Sequence, residues 1–183
     1  MKDFGEGEWK VKKHGVSKRR TWRKIHIAVD GNTYQIHAVE TTKTNVDDAE
    51  GALKLIRKIG KRIGSMRGDG AFDKKKVYNE RSKRKSKACI PPRSNARLDY
   101  SGASGSARRY RNEAVIAMRK GDLGGWKERT KYHRRSLAET AMFQIKQIFN
   151  NILKARNFDS QVVEAGIKVT ILNRLFAINN DYY

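Results

Sequence analysis

The chain has 183 residues, room for one domain with a core of its own and little more. Its 41 Lys and Arg against 19 Asp and Glu leave a formal charge of +22, a field that favours polyanions and makes nucleic acid the leading partner, as substrate or as bound ligand. No stretch approaches the roughly 18 apolar residues of a membrane span, and Met1 to Glu6 lack the apolar run of a signal peptide, so a cytoplasmic protein is expected.

Residues 21–42 read as two strands around an Asp30-Gly31-Asn32 turn, because Ile25, Ile27 and Val29 alternate with Lys24, His26 and Ala28 at the period of a half-covered sheet. His26 and His37 fall in these strands as packing or solvent positions, and together with His14 and His133 they show no zinc-ligand spacing. Asn45 offers an N-cap with Asp47 and Asp48 in the first turn, and Val46, Ala49, Leu53 and Ile56 recur at helical spacing until Gly60, predicting a helix over one face of the sheet. A short strand near 63–67 ends in Gly68-Asp69-Gly70-Ala71-Phe72-Asp73, and Asp73 reads as the N-cap of a basic helix over 74–85. A last short strand over 87–91 is stopped by Pro91-Pro92. Its Cys89, between Ala88 and Ile90, reads as a buried strand residue and not a nucleophile, and a lone cysteine forms no internal disulfide.

Residues 93–125 differ in composition, with the Ser/Gly-rich run Ser101-Gly102-Ala103-Ser104-Gly105-Ser106 ahead of Arg108-Arg109-Tyr110-Arg111, and read as a flexible basic insertion. For any single arginine there, a solvated surface loop is a sufficient explanation. A short helix is expected over 112–120, closed by Gly121. Two helices end the chain. One runs over 136–153; the other begins near Asp159-Ser160 and carries Val163, Ile167, Thr170, Ile171, Arg174, Leu175 and Ile178, a stripe suited to packing on the sheet. The order of elements predicts one domain over 1–183, α/β or α+β, with a mixed sheet flanked by helices.

The chemistry concentrates in the stretch from Tyr132 to Lys146. At about 100° per residue, Tyr132, Arg135, Glu139 and Lys146 project within roughly 60° of one another, while Leu137, Ala141, Ile145, Ile148 and Ile152 fall on the opposite face. An aromatic, two cations and a carboxylate then share one side of a helix, provided that helix reaches back to Tyr132. Ser136-x-x-Glu139 also fits a capping box, in which Glu139 would only satisfy the helix start. Periodicity alone leaves both readings open.

The spacing of Tyr132, Arg135, Glu139 and Lys146 resembles the Y-(2)-R-(3)-E-(6)-K signature of the DDE insertion-sequence transposases of the large insertion-sequence four/five group. The block from Gly68 to Asp73 is similar to that family's second block, D-G-A-Y-D, and Gly5-Glu-Gly-Glu-Trp9-Lys-Val-Lys-Lys-His14-Gly to the stretch after its first, so the resemblance covers essentially the whole chain. It implies a ribonuclease H-like fold in which three carboxylates hold two Mg²⁺ ions, with Mn²⁺ as a substitute, on double-stranded DNA at transposon ends and target. It further implies Asp69 and Glu139 as catalytic metal-binding carboxylates, and Arg135 and Lys146 on DNA phosphates. Tyr132 would hydrogen-bond a phosphate or brace the terminal nucleotide, and a homodimer would form the synaptic complex. Trp126 is placed either to stack on an unpaired base or to pack; Trp9 and Trp22 are expected in the core or against the DNA backbone.

The family's first aspartate sits in a D-S-T-G-like block just ahead of the segment matching Phe4-Gly5-Glu6. Asp3 falls after that block and Asp30 belongs to a turn, so the first metal carboxylate is assigned to no residue. The expectation is an N-terminally truncated chain lacking its first core strand. It would act as a transposase, or alternatively as a non-catalytic DNA-binding remnant or regulator of the full-length enzyme. A ribosome-associated RNA binder would explain the charge but not the spacing.

Overall fold

Alternating side chains settle the first ladder: β2 (Arg23–Val29) pairs antiparallel with β3 (Ile36–Lys43), from Arg23 opposite Lys43 to Val29 opposite Ile36, with a register shift at Ala28/Val29. The turn is wider than Asp30-Gly31-Asn32. It extends to Gln35, whose carbonyl accepts from the Asp30 amide at 2.8 Å, with Tyr34 in the left-handed region at φ 62°. This computed structural model describes residues 1–3, 22–100 and 105–180, which form two compact units, Met1–Asp47 with Leu137–Tyr183, and Asp48–Ser136. The stretch from Gly5 to Gly15, with Trp9 and His14, and Ser101 to Ser104 lie outside the described residues. The architecture is mixed α/β. In place of one mixed sheet, the described residues show three two-stranded pairings.

In the first unit, β1 (Lys2–Asp3) runs parallel to β6 (Ile152–Leu153). Met1 joins β1 to β2: its terminal ammonium donates to the Arg23 carbonyl at 2.7 Å, and the Arg23 amide donates back at 3.0 Å. Helix α5 (Ser136–Phe149) stops four residues short of the expected 153, because Asn150 takes φ 59°, a left-handed position that asparagine tolerates at helix ends. Ile152 therefore leaves the helix for β6, and Ile148 is exposed. Ala141 and Ile145 of α5 do turn inward, packing with Ile36, Val169, Leu172 and the half-buried Ile27 and Val39.

The final helix (Phe158–Asn180) corrects a second expectation: Val163, Ile167, Ile171, Leu175 and Ile178 form its exposed face. The inner face carries Gln161, Ala165, Lys168, Val169 and Leu172. Polar groups fix this rotation, since each satisfies backbone atoms that would otherwise be orphaned. The Asn173 amide pairs with both Ile36 backbone groups (2.8 and 2.9 Å), Lys168 donates to the Ile152 carbonyl at 2.6 Å, and Glu164 accepts from the Lys154 and Ala155 amides at 3.0 and 2.8 Å. We number this helix last, as α6.

The second unit runs α1 (Asp48–Lys58), β4 (Ser65–Arg67), α2 (Lys75–Lys83), β5 (Lys87–Cys89), α3 (Gly105–Arg119) and α4 (Leu123–Arg129). Strands β4 and β5 are parallel, Met66 opposite Ala88, with α2 supplying the crossover that parallel strands require. Helix α1 begins three residues after the expected cap Asn45, because the Val46 amide is taken by the Lys43 carbonyl in a turn. Ala49, Val77, Tyr78, Ala88 and Ile90 make one core cluster; Ala114, Ala117 and Trp126 make another. Helix α3 starts at Gly105, seven residues before Asn112, and occupies much of the stretch expected as a flexible insertion; its Ala114 and Val115 are fully buried. No helix among the described residues is long and apolar enough to cross a membrane.

Candidate functional site

Strand β4 ends by presenting Asp69. A Cβ on Gly68 would lie 2.6 Å from Phe72 Cδ2, so only glycine lets the Phe72 ring fold back over the chain and tighten the turn. Asp69 is extended (φ −78°, ψ 178°), and its Oδ1 accepts from the Ala71 amide at 2.9 Å, capping the 3₁₀ turn Gly70–Phe72. The residue is exposed, and Oδ2 makes no hydrogen bond among the described residues. An uncommitted carboxylate oxygen at a strand end is a hard donor open to a cation.

Asp73, four residues on, is neither an N-cap nor such a donor. The cap position of α2 is Lys74, and the buried Asp73 carboxylate takes the Arg111 guanidinium on Oδ1 at 2.8 Å and the Arg93 amide on Oδ2 at 3.3 Å. Burial first, then the neighbouring Asp73 charge, push the Tyr78 hydroxyl far above its ordinary pKa, so it stays protonated.

Tyr132 to Arg135 are helical, as a 3₁₀ turn; the α-helical wheel therefore holds only from Ser136 onward. Ser136 sits in the right-handed helical region and donates its hydroxyl to the His133 carbonyl at 2.9 Å. That is the geometry of a residue already inside a helical run, not the extended N-cap of a capping box. The Tyr132 ring lies 5.7 Å from both Lys127 Nζ and Arg135 Cζ, and 6.2 Å from the Trp126 ring. Trp126 is 5% exposed against Ala114 and Ala117, which leaves it a packing role and removes it as a base-stacking surface. On α5, Glu139 and Lys146 are exposed and stand seven residues apart, two turns along one face.

Arg67 was not marked by any motif. From the end of β4, two residues before Asp69, its guanidinium donates to the Lys131 and Thr130 carbonyls at 2.9 and 3.2 Å. It thereby ties the Asp69 strand to the turn that starts at Tyr132. Lys131 is left-handed, φ 52°, which turns its carbonyl out of the helical path toward this arginine.

The remaining titratable candidates have structural roles. His26 Nε2 lies 2.9 Å from Thr42 Oγ1, and Cys89 is buried in β5, where burial raises its thiol pKa. Asp30 closes its turn by accepting from the Asn32 and Thr33 amides at 2.7 and 2.9 Å, and these bonds, Thr33 foremost, lower its pKa. Among the described residues no three of His, Cys, Asp or Glu gather as a ready metal centre. Asp69 belongs to the second unit and Glu139 to the first.

No solved structure matches the chain significantly. The family model of the transposase DDE domain matches residues 2–174, a span that takes in Asp69, Tyr132, Arg135, Glu139 and Lys146. The chain belongs to the transposase DDE domain family.

Proposed function

We propose that this chain is the ribonuclease H-like domain of a DNA transposase of the insertion-sequence four/five group, acting on phosphodiester bonds at element ends and joining the freed 3′-hydroxyls to target DNA. The observation that carries the reading is the Tyr132, Arg135, Glu139, Lys146 spacing on a continuous helical run, in a chain of the transposase DDE domain family that also presents Asp69 at a strand end.

Asp69 and Glu139 are the carboxylates that would hold Mg²⁺, or Mn²⁺ in its place. The donor chemistry fits, since both are exposed oxygen ligands, but a two-ion site needs a further shared carboxylate, which we assign to no described residue. When bound, the metal would supply activation of water or a 3′-hydroxyl and stabilisation of the leaving oxygen. The chain's own groups do the positioning. Arg135 and Lys146 would neutralise phosphates flanking the scissile bond, and Tyr132, set between Lys127 and Arg135, would offer its hydroxyl to a third. Arg67 would keep Asp69 and Tyr132 in fixed relation within their unit. Two copies would pair the two DNA ends.

Cleavage and strand transfer on element-end DNA with Mg²⁺ or Mn²⁺, comparing the chain with Glu139→Gln, tests the reading. Wild type should nick and Glu139→Gln should lose activity by at least about a hundredfold, as removal of a transition-state charge partner does. Equal nicking by both would remove Glu139 from the site; DNA binding without nicking by either would favour a DNA-binding remnant or regulator.

A further inference from the structure

The second unit holds an open cavity of about 430 Å³ beside Asp73, within the range of ligand pockets. Its charged wall is Asp73, Lys75, Arg93, Arg97, Asp99 and Arg111, four cations against two carboxylates. Both carboxylates are already matched: Asp73 by Arg111 at 2.8 Å, Asp99 by Lys75 at 3.7 Å. Arg93 and Arg97 are exposed, and neither guanidinium is paired with a carboxylate among the described residues. The cavity thus carries two uncompensated positive charges, with the Asn95 amide also on its wall.

The loop that presents these arginines is held by its own backbone. Arg111 Nη1 donates to the Arg97 carbonyl at 2.7 Å, and the Arg93 amide donates to Asp73 at 3.3 Å. Asn112 pairs with both Asp99 backbone groups at 3.0 and 3.1 Å, and Arg108 donates to the Tyr100 carbonyl at 2.9 Å. A hydrogen-bonded turn from Arg93 to Ala96 completes the frame. With the backbone that carries both guanidinium forks already restrained, binding a phosphate would have only the two side chains left to order.

We propose that this cavity is a phosphodiester subsite, in which Arg93 and Arg97 grip a backbone phosphate of the DNA strand engaged at Asp69. The cavity's Asp73 lies four residues beyond Asp69, across the 3₁₀ turn Gly70–Phe72, and a Cβ on Gly70 would stand 3.6 Å from the Pro91 carbonyl, two residues before Arg93, which puts the start of the arginine loop beside the Asp69 turn. This rests on the proposed DNA-processing function. It adds a contact remote from the Tyr132 to Lys146 signature and independent of metal.

The test is salt-dependent binding of a labelled duplex of arbitrary sequence by fluorescence anisotropy, for wild type, Arg93→Ala/Arg97→Ala, and Lys61→Ala/Arg62→Ala as an exposed control removing the same charge elsewhere on the unit. The Arg93/Arg97 variant should have a salt slope shallower by about one to two, and about tenfold or greater weaker binding between roughly 50 and 200 mM salt. The control should lose clearly less, and all three should melt alike. Equal losses in both variants, with wild type still binding DNA, would overturn the subsite and leave the transposase reading standing. A wild-type chain that binds no DNA would overturn both. A thermal shift with inorganic phosphate that only the Arg93/Arg97 variant loses, with unchanged DNA binding, would show a free-phosphate site and defeat the DNA assignment.

Discussion

Helices α3 and α6 read oppositely in sequence and in structure. The stretch containing α3 is basic and Ser/Gly-rich in its approach, the composition of a solvated insertion, yet Ala114 and Val115 are completely buried and Arg111 reaches a buried carboxylate. Helix α6 displays an apolar stripe with the spacing of a core face, yet that stripe is exposed while Gln161 and Lys168 are buried. The contrast has one cause. Each helix is oriented by polar side chains that complete backbone or carboxylate hydrogen bonds, and burial of apolar area follows that orientation.

The largest effect should come from Asp73→Asn, which takes the charged partner from the half-buried Arg111 guanidinium at a buried carboxylate position; about 3 kcal/mol of stability or more should be lost in denaturant unfolding. A loss below about 1 kcal/mol would mean that α3 is held by its apolar face alone. Next are paired truncations at neighbouring positions. Leu172→Ala, at a residue 1% exposed, should cost about 3 kcal/mol, and Ile171→Ala, at one 40% exposed, less than about 0.5 kcal/mol. On α3 the same ordering should hold more weakly for Val115→Ala against Ile116→Ala. A reversed order within either pair would mean that the helix is rotated about its axis, with the other face inside.

The smallest effect is a pH dependence. Burial raises the Glu164 pKa, but the Lys168 ammonium and the Ala155 and Lys154 amides outweigh it and hold the carboxyl below its ordinary range. A depressed folded pKa contributes stability that is present above the unfolded value, about 4.3, and lost as pH falls through the folded one. Glu164→Gln should therefore lower stability in the neutral range, where the ionised carboxylate contributes, and converge with the wild type in acid, so that the fall in stability below about pH 4.3 is shallower. An acid limb unchanged in that variant would remove Glu164 as the link between α6 and the segment after β6.

Much of the local structure was legible beforehand. Period-2 alternation is a short-range signal, so the β2–β3 hairpin emerged with its pairing, and only the turn length and the shift at Ala28/Val29 differed. The candidate site was legible as spacing in the sequence, because Tyr132, Arg135, Glu139 and Lys146 are fixed by chain distance. Arg67 was not, since one arginine among 41 Lys and Arg carries no mark until a carbonyl 64 residues away is seen to need it. Asp73 looked like a cap for the same reason: its partner lies 38 residues off.

Sequence alone determined a charge that favours polyanions, the helix and strand periods, and the match to the transposase DDE domain family over residues 2–174. Tertiary structure decided which face of α6 is inside, what Asp73 binds, and that Arg93 and Arg97 share a cavity wall with their charges uncompensated. The division is physical. Periodicity and composition are properties of neighbours along the chain, whereas hydrogen-bond satisfaction and charge compensation depend on groups that only folding brings together.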